Sequence, residues 1–90
     1  MQSDTRVNIN TTNENTPIKR FKAGAISATV WENHTTNKAG EQTSFYTVTL
    51  DRAYKDNAGE WQHANSYRTS DLPRAQLVLQ KAYEWIALEN

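Results

Sequence analysis

One hairpin, residues 45–68, constrains the fold of this chain more than any other stretch. Its first arm alternates, so Tyr46, Val48 and Leu50 fall on one face of a strand while aromatic and hydroxyl residues fall on the other. Residues 55–59, KDNAG, supply the turn, because Asp and Asn tolerate left-handed backbone and glycine adopts positive φ without steric cost. The second arm, residues 61–69, is mostly polar on both faces. The hairpin therefore displays polar and aromatic side chains rather than burying them.

The remaining elements are strands before the hairpin and a helix after it. Residues 18–32 predict a strand pair or one long bent strand, with Gly24 at the bend or bulge. Residues 33–43 predict a long polar loop with a mobile tip. Residues 71–88 predict a helix, since Ser70 or Asp71 can cap it and a proline suits its first turn. Several antiparallel strands followed by one C-terminal helix make an α+β fold.

The chain has the length of one small domain, 90 residues. Residues 1–16 are rich in Asn, Thr and acidic side chains, so they cannot bury enough surface to offset their ordering entropy. We predict a disordered polar tail over residues 1–16, with Pro17 at the boundary, and a single domain over residues 17–90. No apolar run approaches the ~20 residues of a membrane span. We expect a soluble cytoplasmic protein.

Catalytic and metal-binding signatures are missing from the sequence. There is no cysteine, and the only two histidines, His34 and His63, have no neighbour at metal-ligand spacing. The glycines are too far apart to form a phosphate-binding loop. We therefore predict a protein that is not an enzyme and that holds neither a cofactor nor a metal.

The helix carries more apolar surface than one sheet can cover. The residues expected to cover the sheet recur at helical spacing: Leu72, Ala75, Leu79, Ala82, Tyr83 and Ile86. Four further apolar residues widen the stripe: Leu77, Val78, Trp85 and Leu88. A second copy of the helix is the simplest partner for this excess, so we predict a homodimer with these four residues at the interface. The alternative is a terminal helix with scattered exposed apolar side chains.

Cations and aromatic residues are interleaved along the strands, as in proteins that hold single-stranded nucleic acid by phosphate attraction and base stacking. The cations are Lys19, Arg20, Lys22, Arg52, Lys55 and Arg68. Alternation places Trp31 and Phe45 opposite the Val and Leu face, away from the helix. The alternative is that Trp31 and Phe45 only stabilise the sheet as a cross-strand pair.

The pattern as a whole resembles the positive-cofactor-four family of transcriptional coactivators. The resemblance rests on Phe21, Gly24 and Ile26 in one strand, on residues 48–60 (VTLDRAYKDNAGE), and on Leu72 at the start of the final helix. It implies a four-stranded antiparallel sheet with one C-terminal helix, dimers formed through the helices, and single-stranded DNA on the sheet.

The resemblance also assigns roles to single residues. It gives Tyr54 a base-stacking position and Arg52 a phosphate-contacting position, and it sets Arg68 near a fourth-strand cation. Two departures imply weaker DNA binding or a different ligand: residues 33–43 are longer than in the family, and residues 62–69 have few cations.

We predict a small protein that binds single-stranded nucleic acid, with DNA as the preferred candidate over RNA. We expect it in the cytoplasm, or at the nucleoid or in the nucleus when it is bound to DNA. The predicted contacts are Lys19, Arg20, Lys22, Trp31, Phe45, Arg52, Tyr54, Lys55 and Arg68. The alternative function is a non-enzymatic protein-interaction or inhibitor module anchored by Trp31, Phe45 and Trp61, since aromatic anchors dominate protein interfaces.

Overall fold

The structure, a computed structural model, describes residues 14–89. Its sheet has four antiparallel strands in the order β1-β2-β3-β4. The predicted fold, a four-stranded antiparallel sheet followed by one C-terminal helix, is confirmed. The elements are β1 (Glu14–Ala23), β2 (Ile26–Thr36), β3 (Gln42–Lys55), β4 (Trp61–Ala64), a short 3₁₀ turn (Thr69–Asp71) and α1 (Leu72–Glu89).

The stretch before the hairpin is a strand pair rather than one bent strand. Gly24 makes the turn between β1 and β2 with φ +61°, a conformation that disfavours residues with a Cβ. Space is also short, because a Cβ on Gly24 would lie 3.1 Å from Arg74 Nη1. β1 begins at Glu14, before Pro17, so residues 14–16 pair with β2 and the predicted tail boundary is wrong there. Residues 1–13 of that tail lie outside the described residues.

The predicted long loop over residues 33–43 is wrong: β2 runs to Thr36 and β3 starts at Gln42, leaving a tight turn. Asn37 Oδ1 accepts the N–H groups of Ala39 at 2.9 Å and Glu41 at 3.0 Å. The β3–β4 turn is built the same way, with Asp56 Oδ1 accepting the N–H groups of two later residues, each at 2.9 Å. The polar composition indicated a flexible loop. Instead, an acceptor side chain at the start of each turn holds the backbone in one conformation.

β4 is shorter than the predicted second arm, since residues 65–68 are not strand. They lead across to the helix and are held there by Arg52, whose Nε donates to the Ser66 carbonyl at 2.9 Å. The same Nε lies 3.7 Å from Asp71 Oδ2. A guanidinium contact to this connection ends the ladder with β3 early.

Helix α1 buries small residues against β2. Ala75, Val78 and Ala82 are buried on the helix and meet the core residues of the sheet, Ile26, Ala28 and Val30. Trp85 contacts Tyr46 edge-on, with ring centroids 5.8 Å apart. No helix in the described range is both long and apolar enough to cross a membrane.

The buried stripe is rotated relative to the prediction. Val78 is 2 % exposed and so does not form the predicted dimer contact, while Trp85 is partly buried against the sheet. Three residues expected to cover the sheet are instead exposed: Leu72, Leu79 and Tyr83. Alanine fits the line of closest approach between helix and sheet, where leucine would be too large. Leu77 and Leu88 are exposed, as a dimer contact would require.

Candidate nucleic-acid interface

The sheet has a helix side and an open side. Tyr46, Val48 and Leu50 pack toward α1, so the alternate residues of β3 lie on the open side, as the alternation predicted. The continuous β2–β3 register places Trp31 opposite Thr47 and Asn33 opposite Phe45 on the same side. Trp31 and Phe45 therefore lie on the side away from the helix.

Two cations of β1 join these aromatics. Arg20 lies opposite Thr29 and Lys22 opposite Ser27, which places both on the open side. Arg20 Nη2 donates to Ser27 Oγ at 3.3 Å. We call Arg20, Lys22, Trp31 and Phe45 the aromatic–cation patch. The two cations on β1 lie one strand from Trp31 on β2 and two strands from Phe45 on β3.

Hydrogen bonds fix the orientation of the patch. Trp31 Nε1 donates to Thr49 Oγ1 at 2.8 Å, and Asn33 Nδ2 donates to Thr47 Oγ1 at 3.0 Å. Trp31 remains partly exposed, and Phe45 is 50 % exposed. An indole held by its N–H presents its face without further ordering, which reduces the entropy that a stacked ligand loses.

A second aromatic site lies at the far end of the open side. Lys55 Nζ sits 5.4 Å from the centroid of Trp61, and Trp61 is 64 % exposed. Lys55 is separated from Phe45 by roughly 33 Å along the strand at ~3.3 Å per residue. Between them Asp51 Oδ2 lies 2.8 Å from His63 Nδ1. Asp51 is the carboxylate that the described strands contribute to the open side, and it lies in the same cross-strand row as Ser27 and Lys22.

Four predicted contact residues lie elsewhere. Lys19 follows the register shift after Pro17 and lies opposite Val30, on the helix side, with Nζ 5.6 Å from the centroid of Phe21. Arg68 sits in the connection before α1, where its backbone N–H donates to Asp71 Oδ2 at 2.9 Å. Neither shares a binding surface with Arg20: alternation along β1 puts Lys19 on the opposite side from its neighbour Arg20, and the short β4 leaves Arg68 outside the sheet.

The other two predicted contact residues that lie away from the open side are Arg52 and Tyr54. They share the side of Leu50, and Arg52 is engaged with Ser66 and Asp71, with its guanidinium carbon 5.3 Å from the Tyr54 centroid. Arginine and tyrosine are residue types that suit nucleic-acid binding. Alternation along β3 nevertheless places both of them on the helix side of the sheet. Arg52 is accordingly a structural residue rather than a phosphate contact.

The prediction missed the residues that hold the patch. Thr47, Thr49 and Asn33 serve as hydrogen-bond partners, and the signal in the sequence was that they recur at every second residue after Phe45 and after Trp31, on the same side of the sheet. Trp61 was not among the predicted nucleic-acid contacts, although its exposure beside a lysine suits a base as well as a protein partner. Among residues 14–89, no cluster of three or more His, Asp or Glu side chains is placed to hold a metal ion.

Compared with models of protein families, with curated proteins and with solved structures, the chain matches none.

Proposed function

We propose that this protein binds single-stranded nucleic acid on the open side of its sheet, as a homodimer and without catalysis. The observation that carries the proposal is the oriented Trp31 indole beside Phe45 and two exposed cations. The resemblance to the positive-cofactor-four family supports DNA as the first ligand. A protein of this kind acts in the cytoplasm, or at the nucleoid or in the nucleus when bound to DNA.

Affinity and its salt dependence test the two parts of the patch separately. Oligo-dT titrated into the protein should change tryptophan fluorescence at about 20 mM salt, where phosphate attraction is strongest. Arg20→Ala and Lys22→Ala should each flatten the slope of log affinity against log salt by ~0.7. Trp31→Ala should weaken binding by ~1–3 kcal/mol and leave the slope unchanged, since stacking releases no counterion.

Neighbouring residues on the other side of the sheet are matched controls. Lys19→Ala removes the same charge one residue from Arg20, and Tyr54→Ala removes an aromatic ring on the same strand as Phe45. Neither control should change affinity as its open-side counterpart does. The proposal fails if folded wild-type protein binds no oligo-dT at low salt, or if Lys19→Ala and Arg20→Ala behave alike.

A protein partner is the second candidate function. The exposed Trp61 favours it, because a large exposed aromatic side chain is a suitable anchor for a pocket on a protein partner. Binding that depends on Trp61 and hardly on salt would support this alternative. Binding that depends on Arg20 and falls steeply with salt would exclude it.

The homodimer is supported by uncovered apolar surface. Leu79 and Tyr83 are 42 % and 65 % exposed on the helix, and Leu72 continues the same flank. The opposite flank borders β1, where Phe21 and Leu88 line one open groove. Leu72, Leu79 and Tyr83 therefore face the β3 half of the helix side, which α1 contacts less than it contacts β1 and β2.

A further inference from the structure

The two outer edges of the sheet are protected differently. Natural sheets prevent edge-to-edge pairing with proline, bulges and lysine on the outer strand. β1 has all three, with Pro17, a register shift before Lys19, and Lys22. The opposite edge is formed largely by β3, because β4 pairs only with residues 52–55 of that 14-residue strand.

The free edge of β3, residues 44–50 (SFYTVTL), has none of these features. The Ala53 N–H donates to the Ala25 carbonyl at 2.9 Å, and the β2–β3 register is continuous, so odd-numbered residues of β3 direct their main-chain groups toward β2. Residues 44, 46, 48 and 50 direct theirs outward, where no strand of residues 14–89 lies. The edge is a ready template for another strand.

We propose that β3 pairs with β3 of a second copy, antiparallel, about a two-fold axis at Thr47. The inference rests on the homodimer proposed above and names its surface. Four strands from each copy form one continuous sheet of eight. A two-fold contact must be self-complementary, and residues 44–50 meet that condition because they carry no charge that would face its own copy.

Side-chain chemistry selects the register. Centred on Thr47, the pair sets Tyr46 against Val48 of the second copy and Phe45 against Thr49, combinations of aromatic and β-branched residues that stabilise antiparallel sheets. Centring on Val48 would set Phe45 against Asp51. Centring on Tyr46 would set Leu50 against Gln42. The Thr47-centred pair satisfies the outward groups with about eight main-chain hydrogen bonds.

The same pairing also affects the surroundings of the exposed apolar flank of the helix. Both helices lie on one side of the joined sheet, with Leu79 and Tyr83 of each copy directed toward the axis. The strip between them is lined by the half-buried Val48 and Leu50. One contact thus brings together the unpaired edge and the apolar surface that a single copy leaves uncovered.

Cysteine crosslinking tests the axis, because the wild-type chain has no cysteine. Thr47→Cys should form a disulfide-linked dimer under mild oxidation, since facing residues of this kind have Cα atoms ~4.5 Å apart. Thr49→Cys is the matched control: it too removes one side-chain hydrogen bond, but its two copies would lie roughly 13 Å apart. It should remain uncrosslinked.

A charge pair gives a second, independent readout. Thr47→Lys should raise the dimer dissociation constant by up to ~5-fold, because like charges directly opposite one another are destabilising by up to ~1 kcal/mol. Thr49→Lys adds the same charge facing Phe45 and should change it much less. Sedimentation over micromolar to about 1 mM protein measures both, with circular dichroism to establish folding.

The outcomes separate this inference from the proposed function. If wild-type protein is dimeric but both cysteines crosslink alike, or both lysines act alike, the β3 axis is wrong and the homodimer stands. A monomer at all concentrations overturns both. A dimer sensitive to Thr47→Lys that binds no oligo-dT retains this interface and loses the proposed ligand.

Discussion

The two sides of the sheet bury different kinds of group. On the helix side the buried residues are apolar, led by Ile26 and Val30 at 0 % exposure. On the open side the buried residues are polar, Ser27 at 2 % and Asn33 at 8 %, and each has a side-chain hydrogen-bond partner. The helix side is thus stabilised by removing hydrocarbon from water, and the open side is ordered by its own side chains without a covering layer.

The difference predicts separable effects. A substitution on the helix side should lower the free energy of unfolding and leave the salt dependence of binding intact. Removal of an open-side cation should leave the free energy of unfolding nearly unchanged and flatten the salt dependence of binding. Four substitutions follow, from the largest expected effect to the smallest; the first two test this division, and the other two test the segments that connect the strands and the helix.

Ile26→Ala should lower the free energy of unfolding by about 2–5 kcal/mol, because it removes fully buried methyl groups and leaves a cavity. Thr29→Ala, in the same strand on the open side, should cost less than about 1 kcal/mol. Urea unfolding followed by circular dichroism measures both. Similar costs would show that the open side also carries core packing.

Arg52→Ala should cost about 1–3 kcal/mol, since it breaks a charged hydrogen bond to the Ser66 carbonyl and the contact with Asp71, whose side chain is 15 % exposed. The folded variant should bind oligo-dT with an unchanged salt slope. Arg52→Lys keeps the charge but cannot reproduce the Nε contact, so it should recover little stability. A flattened slope with normal stability would restore Arg52 as a phosphate contact.

Tyr67→Phe should raise the free energy of unfolding by up to about 1 kcal/mol, because the buried Tyr67 hydroxyl has no hydrogen-bond partner within the described residues. Burial raises the pKa of Tyr67, the charge of Asp51 raises it further, and Arg52 opposes both. The folded state therefore favours the protonated phenol, and wild-type stability falls as the pH rises above about 10. The variant should not show that loss. Lower stability of Tyr67→Phe at neutral pH would reveal a partner for the hydroxyl.

Asp56→Ala should have the smallest effect, and only above acid pH. The N–H of Glu60 lowers the pKa of Asp56 most, and Gln62 and Ala58 lower it further. A depressed pKa stabilises the fold above the unfolded value, about 3.9, and the contribution is lost as the pH falls through the folded value. Asn37→Ala, at the equivalent turn, is the control without a titrating group. In thermal melts, the difference in melting temperature between Asp56→Ala and wild type should shrink as the pH is lowered from 6 to 2. The difference between Asn37→Ala and wild type should not shrink in this way.

Local patterns were sufficient to predict most of the fold. The alternation of residues 45–50 correctly assigned the sides of β3, and the helical periodicity of residues 71–88 located α1. The tight turn between β2 and β3 was missed although its signal is in the sequence: residues 37–41 read NKAGE and residues 56–60 read DNAGE. Both segments begin with an acceptor side chain and reach positive φ at glycine.

The candidate site was harder to predict. Whether a residue belongs to it depends on the side of the sheet on which that residue lies, and composition alone does not contain this information. Strand alternation separates Lys19 from Arg20 on β1, and it separates Arg52 from Lys55 on β3. Helix rotation was set by side-chain volume: the alanines took the closest approach to the sheet, and Leu79 and Tyr83 were left at the surface. Periodicity identifies a stripe, but packing decides where its centre lies.

The order of the strands in the sheet, which equals their order along the chain, has a consequence for how the protein folds. Every strand pairs with its neighbour through a short turn, so the entropy lost in closing each loop is small. The long-range step is the docking of α1 on β1 and β2. Chains dominated by local contacts cross their folding barrier quickly. We expect a meander that assembles turn by turn and a rate limited by capture of the helix.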